Sequence, residues 1–261
     1  MADRDAEQWY PTAAYLYVLH LDDLALAWEY LRRNPDYQSD WRDRVYRPEA
    51  AHRWGLRLLE DPGLDARDAY PIWFPDHPEL LQLYPDVDPM PDAATFNFWR
   101  IPGSKCLVHD GRRLLLTTRW PGCRLRLAIA AGLEEGMAYV HVVRPCVRYG
   151  ALAAELDKLA VAASTPSPAA ARCRPSPGAM LELHTLQTLD ATLAGASLRE
   201  VAAGLFGTAM VTRGWHADGS LRSKVRRLVR RGRALMYGGY RHLAQLDAHG
   251  EGRSTPPANR P

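Results

Sequence analysis

The densest chemistry in this sequence is a run of cations. Between Leu221 and Arg233 stand Arg222, Lys224, Arg226, Arg227, Arg230, Arg231 and Arg233, with no acid among them. Cations at this density repel one another along the surface that carries them, a cost that a structural role alone would not require. A phosphate backbone turns the repulsion into attraction, because each phosphate neutralised by a cation releases condensed counterions. The chemistry to expect is recognition of a polyanion. Placed at about 100° per residue, Leu221, Val225, Leu228 and Val229 share one arc, which Leu235 and Met236 extend. Lys224, Arg226, Arg227, Arg230, Arg231 and Arg233 lie outside that arc. An α-helix fits the major groove of duplex DNA, with the side chains near its N-terminus best placed to meet base edges. Here those are Ser220, Ser223 and Lys224, while Arg226, Arg227, Arg230 and Arg231 divide between bases and phosphates. Arg222 and Arg233 complete the candidate DNA-binding set.

Such a helix must be held from behind. Leu183, Leu186, Leu189 and Leu193 give an upstream helix an apolar stripe, ended by Gly195. Ser197 and Glu200 have the spacing of a capping box, which starts the next helix. Leu198, Val201, Ala202 and Leu205 then recur at the interval of one helical face, and Gly207 closes it. Asp218 is a candidate N-cap for the cationic helix. The connection from Gly207 to Asp218 runs to about twelve residues, against the roughly 3 to 4 of an ordinary helix-turn-helix. A variant of that motif is therefore expected, with an extra helical turn around Met210 and Trp215 wedged against the core. A merely solvated basic face is the plainer alternative, countered by the order of capped apolar helix, Gly-containing break and cationic helix. A membrane-surface helix would need Trp or Phe on its apolar side, and none is there.

Charge is unevenly placed along the chain. Residues 172 to 261 hold 14 Lys/Arg against 6 Asp/Glu, and the residues before them hold 19 against 24, so the chain is basic at one end and acidic over the rest. Arg outnumbers Lys by 30 to 3, which reflects a GC-rich genome more than a need for guanidinium; the placement of charge is what carries information. No apolar run approaches the roughly 20 residues needed to span a bilayer, and a cytoplasmic protein with free thiols is expected. The nine histidines form no His-Glu-x-x-His pair, and no nucleophile motif, phosphate loop or dinucleotide fingerprint is present, so neither an enzyme nor a cofactor is expected.

The remaining chain reads as α+β: a small N-terminal helical unit (1–60), a loop- and β-rich middle segment (61–163), a Pro/Ser/Ala linker (164–178), an all-α C-terminal variant helix-turn-helix domain (179–248) and a disordered tail (249–261). Leu24, Trp28 and Leu31 share a helical face behind an Asp22 N-cap; Asn34-Pro35 stops that helix, and Pro35-Asp36-Tyr37 reads as a turn. A second helix is expected from about Pro48 to Glu60. Short β-type runs are Phe96 to Ile101, Lys105 to His109, Leu114 to Trp120, Leu125 to Ala130 and Ala138 to Arg144, with a hairpin at Asp110-Gly111, which suggests a small antiparallel sheet. A helix from about Gly150 to Ala163 follows.

Residues 184 to 244 resemble the variant helix-turn-helix domain of regulators carried by proteobacterial integrative and conjugative elements. The likeness lies in Leu189-Asp-Ala-Thr-Leu-Ala-Gly-Ala-Ser-Leu-Arg-Glu-Val-Ala, Leu205-Phe-Gly, Trp215-His-Ala-Asp, Leu221-Arg-Ser-Lys-Val-Arg-Arg-Leu-Val-Arg-Arg-Gly and Gly238-Gly-Tyr-Arg-His-Leu. The stretch from Ala14 to Tyr37 resembles the transcriptional regulator-like domain at the head of such proteins. The two-domain resemblance implies an activator of genes for element excision and transfer; short relatives act as antiactivators by binding the activator. The chain departs from that pattern at Gly219, where a Ser usually follows the Asp. Candidate partners are double-stranded DNA, an antiactivator protein, RNA polymerase and a second copy of the chain. The alternative function is a protein-binding regulator that uses the same helices to dock another transcription factor.

Overall fold

The fold is mixed α+β. The computed structural model describes residues 12–46, 49–74, 80–110, 112–120, 123–142, 153, 156–160, 177–216 and 219–246. They fall into two units, residues 1–75 with 174–261, and residues 76–173.

The first unit is helical. A 3₁₀ helix, Thr12–His20, leads into α1, Asp23–Leu31, which starts where the Asp22 carboxylate accepts from the Ala25 amide at 2.8 Å. Asn34 and Pro35 do end α1, but they also begin α2, Pro35–Arg42, where a turn was expected. Asn34 Oδ1 accepts from the Asp36 and Tyr37 amides, and a proline at the first helical position forfeits no hydrogen bond, so the pair nucleates a helix. The helix expected from Pro48 to Glu60 is only α3, Ala50–Arg53; Gly55, at φ +74°, then turns the chain into a bridge between Leu56 and Trp73. Trp28, Tyr37 and Trp54 meet edge to face in this head segment.

The C-terminal helices are α4 (Pro177–Leu193), α5 (Leu198–Phe206), α6 (Thr208–Gly214), α7 (Ser220–Ala234) and α8 (Tyr240–Leu243), with a π-type turn, Leu235–Gly239, between the last two. Leu183, Leu186 and Leu189 are buried as the stripe requires, but Leu193, at the helix end, is half exposed. Helix α4 also buries Glu182, Thr185, Gln187 and Thr188, so it is covered on more than its leucine stripe. A helix buried on several sides needs a neighbour on each. The head supplies one: Tyr15, Leu24, Leu31, Leu183, Leu186, Val225, Met236 and Tyr240 belong to a single core. Residues 1–60 and 179–248, read from sequence as separate domains, thus share their hydrophobic interior.

The second unit is built on a five-stranded sheet of order β2-β3-β4-β1-β5, comprising β1 Leu81–Pro85, β2 Ser104–His109, β3 Arg113–Trp120, β4 Cys123–Ala130 and β5 Tyr139–Val142. It is mixed where an antiparallel sheet was expected, because β1 pairs in parallel with β4, Leu81 opposite Leu127, and antiparallel with β5. Strand β1 lies between two others and buries Leu81, Gln82 and Leu83 in succession, so it lacks the alternation that marks a half-buried strand. Phe96 to Ile101 is not a strand; a Thr95–Ala138 bridge precedes it and the Phe96 amide donates to the Met137 carbonyl at 2.7 Å, while Phe96 and Ile101 join the core under the sheet. Asp110 closes the β2–β3 hairpin by accepting from the Arg112 and Arg113 amides. Residues 156–160 are helical, and Leu159 joins the same core. Residue 153 is helical too; the rest of the helix expected over 150–163, most of the linker to residue 176, the Asp218 cap and the tail lie outside the described residues.

Candidate nucleic-acid interface

Helix α7 is positioned by its neighbours at both ends. Upstream, the capping box at α5 is complete: the Ser197 hydroxyl accepts from the Glu200 amide at 3.3 Å, and the Glu200 carboxylate accepts from the Ser197 amide at 2.7 Å. These bonds hold the Glu200 carboxyl below its ordinary range. Gly207, at φ +87°, ends α5 and starts α6, a backbone conformation that a side chain would strain. The long connection thus holds a complete short helix that includes Met210. Trp215 packs against the helical core from the end of α6, and His216 is exposed.

On α7 itself, Val225 and Leu228 are buried and Leu221 and Val229 partly so, with Met236 continuing the face. Gly232 completes it. A Cβ there would stand 3.2 Å from the Leu189 Cβ and 3.4 Å from the Thr185 carbonyl oxygen, so α7 and α4 approach closely because that position carries no side chain. The helix begins at Ser220 behind Gly219, which makes no side-chain cap bond.

The cations divide into two groups. Arg226, Arg227, Arg230 and Arg233 are exposed, and among the described residues none of the four has a carboxylate partner. Ser220 and Ser223 are exposed at the N-terminal end of the same outward side. Arg231 instead forms an ion pair with Glu182 of α4 while remaining 40% exposed. Lys224 is exposed but lies over the Phe206 ring, 4.6 Å from its centroid. Burial, and then the Lys224 charge, lower the pKa of nearby His184 below its ordinary value, so it tends to stay neutral there. Arg222 is partly buried and already engaged. The result is an outward cationic ridge flanked by two cations that also serve the helix packing.

Sequence reasoning missed Glu182 and Phe206. The signal available for Glu182 was a carboxylate set between Leu181 and Leu183 in an apolar stretch, which implies a buried cationic partner but does not say which one.

Comparison with known families matches residues 119–245, just under half of the chain, to a T6SS transcription factor DNA-binding domain. Residues 8–58 match a proteobacterial transcriptional regulator-like domain. Together these matches support a DNA-binding transcriptional regulator. A further match, over residues 78–125, is to a domain of unknown function (DUF7011), and no curated protein matches the chain. In this regulator the DNA-binding match runs from β3 through α8 and so contains the whole cationic helix. The regulator-like match covers the 3₁₀ helix and α1 to α3. Among the described residues, no helix is long and apolar enough to cross a membrane, and no cluster of His, Cys, Asp or Glu could hold a metal ion.

Proposed function

We propose that the chain is a sequence-specific DNA-binding activator that lays α7 in the major groove. The observation that carries this reading is the exposed ridge of Arg226, Arg227, Arg230 and Arg233 on a helix whose opposite face is buried. Ser220 and Ser223 lie where base edges are met, and the ridge arginines divide between bases and phosphates. Lys224, Arg222 and Arg231 border the same side, each with a protein contact of its own. The resemblance to regulators of integrative and conjugative elements supports excision and transfer genes as targets, with RNA polymerase, an antiactivator and a second copy as partners. The matched domain is described for a T6SS transcription factor, which makes T6SS genes the competing target set.

Genome-wide footprinting with the purified full chain tests the targets: protected sites upstream of excision and transfer genes support the proposal, and sites confined to other genes remove that part of it. On the strongest recovered site, four ridge arginines on phosphates give a slope of log K against log salt of about −3.6. A folded Arg227→Ala/Arg230→Ala variant that binds that site as tightly as the parent chain would falsify the DNA-reading role of α7.

A further inference from the structure

Readout of bases depends on how a recognition helix is rotated about its own axis, and the head segment makes buried polar contacts with the end of α7 and with the helix it packs on. Buried Glu182 accepts two hydrogen bonds, one from the Tyr30 hydroxyl of α1 at 2.6 Å and one from the Arg231 guanidinium of α7. Tyr30 is fully buried; that burial, followed by the Glu182 charge, drives its pKa far upward, so it serves as a permanent donor. Next to Arg231, Gly232 brings α7 tightly against α4, so the ion pair sits where the two helices touch. A second tie runs directly from the head: Asn34 Nδ2 donates to the Met236 carbonyl at 3.1 Å, both groups buried, just past the end of α7. That carbonyl lies in the π-type turn, where Gly238 at φ +146° breaks the helical path.

The geometry points to Tyr30 and Asn34 as positioning residues for DNA recognition: they set the rotation of α7 through Glu182–Arg231 and through the Met236 carbonyl, without touching DNA. The head is thereby a determinant of specificity. This inference rests on α7 being the DNA-reading element. Non-specific affinity depends on the number of cations that reach phosphates, whereas base readout depends on their register, so misrotation reduces the second far more than the first.

The test uses the full chain, with the strongest footprinted site as the specific duplex and a random-sequence duplex of equal length as the non-specific one. Tyr30→Phe keeps the ring and removes the donor; Asn34→Ser keeps a capping oxygen for α2 and removes the reach to Met236. Each is expected to lower the ratio of specific to non-specific affinity by about threefold to tenfold, the scale of one hydrogen bond, with the salt slope on random duplex unchanged. Tyr30→Phe combined with Arg231→Met is expected to lower the ratio less than the product of the two single effects, because both act through Glu182. An unchanged ratio in both folded variants overturns the inference. So does a parallel fall of both affinities that tracks the folded fraction by circular dichroism, which is the mark of stability alone. If one variant does not fold, the other decides. Should the ridge-arginine variant also bind the specific duplex normally, the failure lies with the proposed function and not with the positioning role.

Discussion

Glu29 shows what one residue contributes to the helical unit. It is fully buried on α1, where its carboxylate takes Arg32 at 2.8 Å, Arg33 at 2.5 Å and the Ala66 amide at 2.6 Å. Burial pushes its pKa up, but the two guanidinium groups outweigh burial and leave it below the ordinary range. Asp190 is held low in the same way by Arg33, helped by the Tyr15 hydroxyl at 2.8 Å. A carboxylate with a depressed folded pKa stabilises the fold fully above its unfolded pKa, about 4, and loses that contribution as pH falls through the lower folded value. Thermal unfolding followed by circular dichroism should therefore show these groups contributing nothing to pH dependence between about pH 5 and 7, and a falling melting temperature below about pH 4. Glu29→Gln takes the buried charge away from the partly buried Arg32 and Arg33 guanidinium groups, at a cost of up to about 3 kcal/mol, and should flatten part of that acid limb. A variant as stable as the parent at pH 7 would mean that the pair is not an energetic unit. Local devices of this kind were legible in sequence: Asp22, Ser197 and Glu200 cap as their spacing requires, because a cap involves residues two or three apart. The Ala66 contact was not, since nothing in the spacing relates positions 29 and 66.

Among the elements, α7 was the most legible. Its apolar arc needs only a helical period, and the structure buries most of that arc and exposes every cation of the helix except Arg222, which is partly buried. Which arginine would be taken by the interior was not legible, because Glu182 and Arg231 are brought together only by the packing of α4 on α7. Strand β1 was missed for a related reason: a central strand buried on both faces has no alternation, and Pro85 at its end reads as loop. Phe96 to Ile101 pairs only at its start, through the Phe96 amide to the Met137 carbonyl, and packs onward as an irregular segment. The close approach at Gly232 yields a prediction at this scale. Gly232→Leu inserts four carbons where even a Cβ would be only 3.2 Å from Leu189, so it should destabilise by about 1 to 3 kcal/mol or more despite the better helix propensity of Leu. Ala234→Leu, on an exposed position of the same helix, should change stability by less than about 0.5 kcal/mol. Equal melting temperatures for the two variants would show that α4 and α7 are not tightly apposed at Gly232.

At the scale of the molecule, the distance along the chain between the head and the C-terminal helices conceals a shared interior. The linker-like composition of residues 164–178 suggested a boundary between independent domains, and composition cannot report that two distant helices complete each other's burial. Leu186 and Leu189 of α4 sit in one core with Tyr15, Trp28, Tyr30 and Leu31 of the head. Complete burial of a large apolar side chain contributes about 1.5 to 3 kcal/mol. Without the head, Leu186 and Leu189 lose part of their cover, and the cost, up to about 3 kcal/mol for each, is a large part of a typical domain's whole stability of about 5 to 15 kcal/mol. A chain lacking residues 1–60 should consequently lose the cooperative melting transition of α4 to α8 and bind DNA only weakly, through charge, with little discrimination between duplexes. A head that merely covered the cationic ridge would behave in the opposite way, because its removal would leave the C-terminal helices folded and raise DNA affinity. Melting curves and binding isotherms of the truncated chain separate the two cases: a cooperative transition together with specific binding equal to or above that of the full chain would mean that the shared core is dispensable.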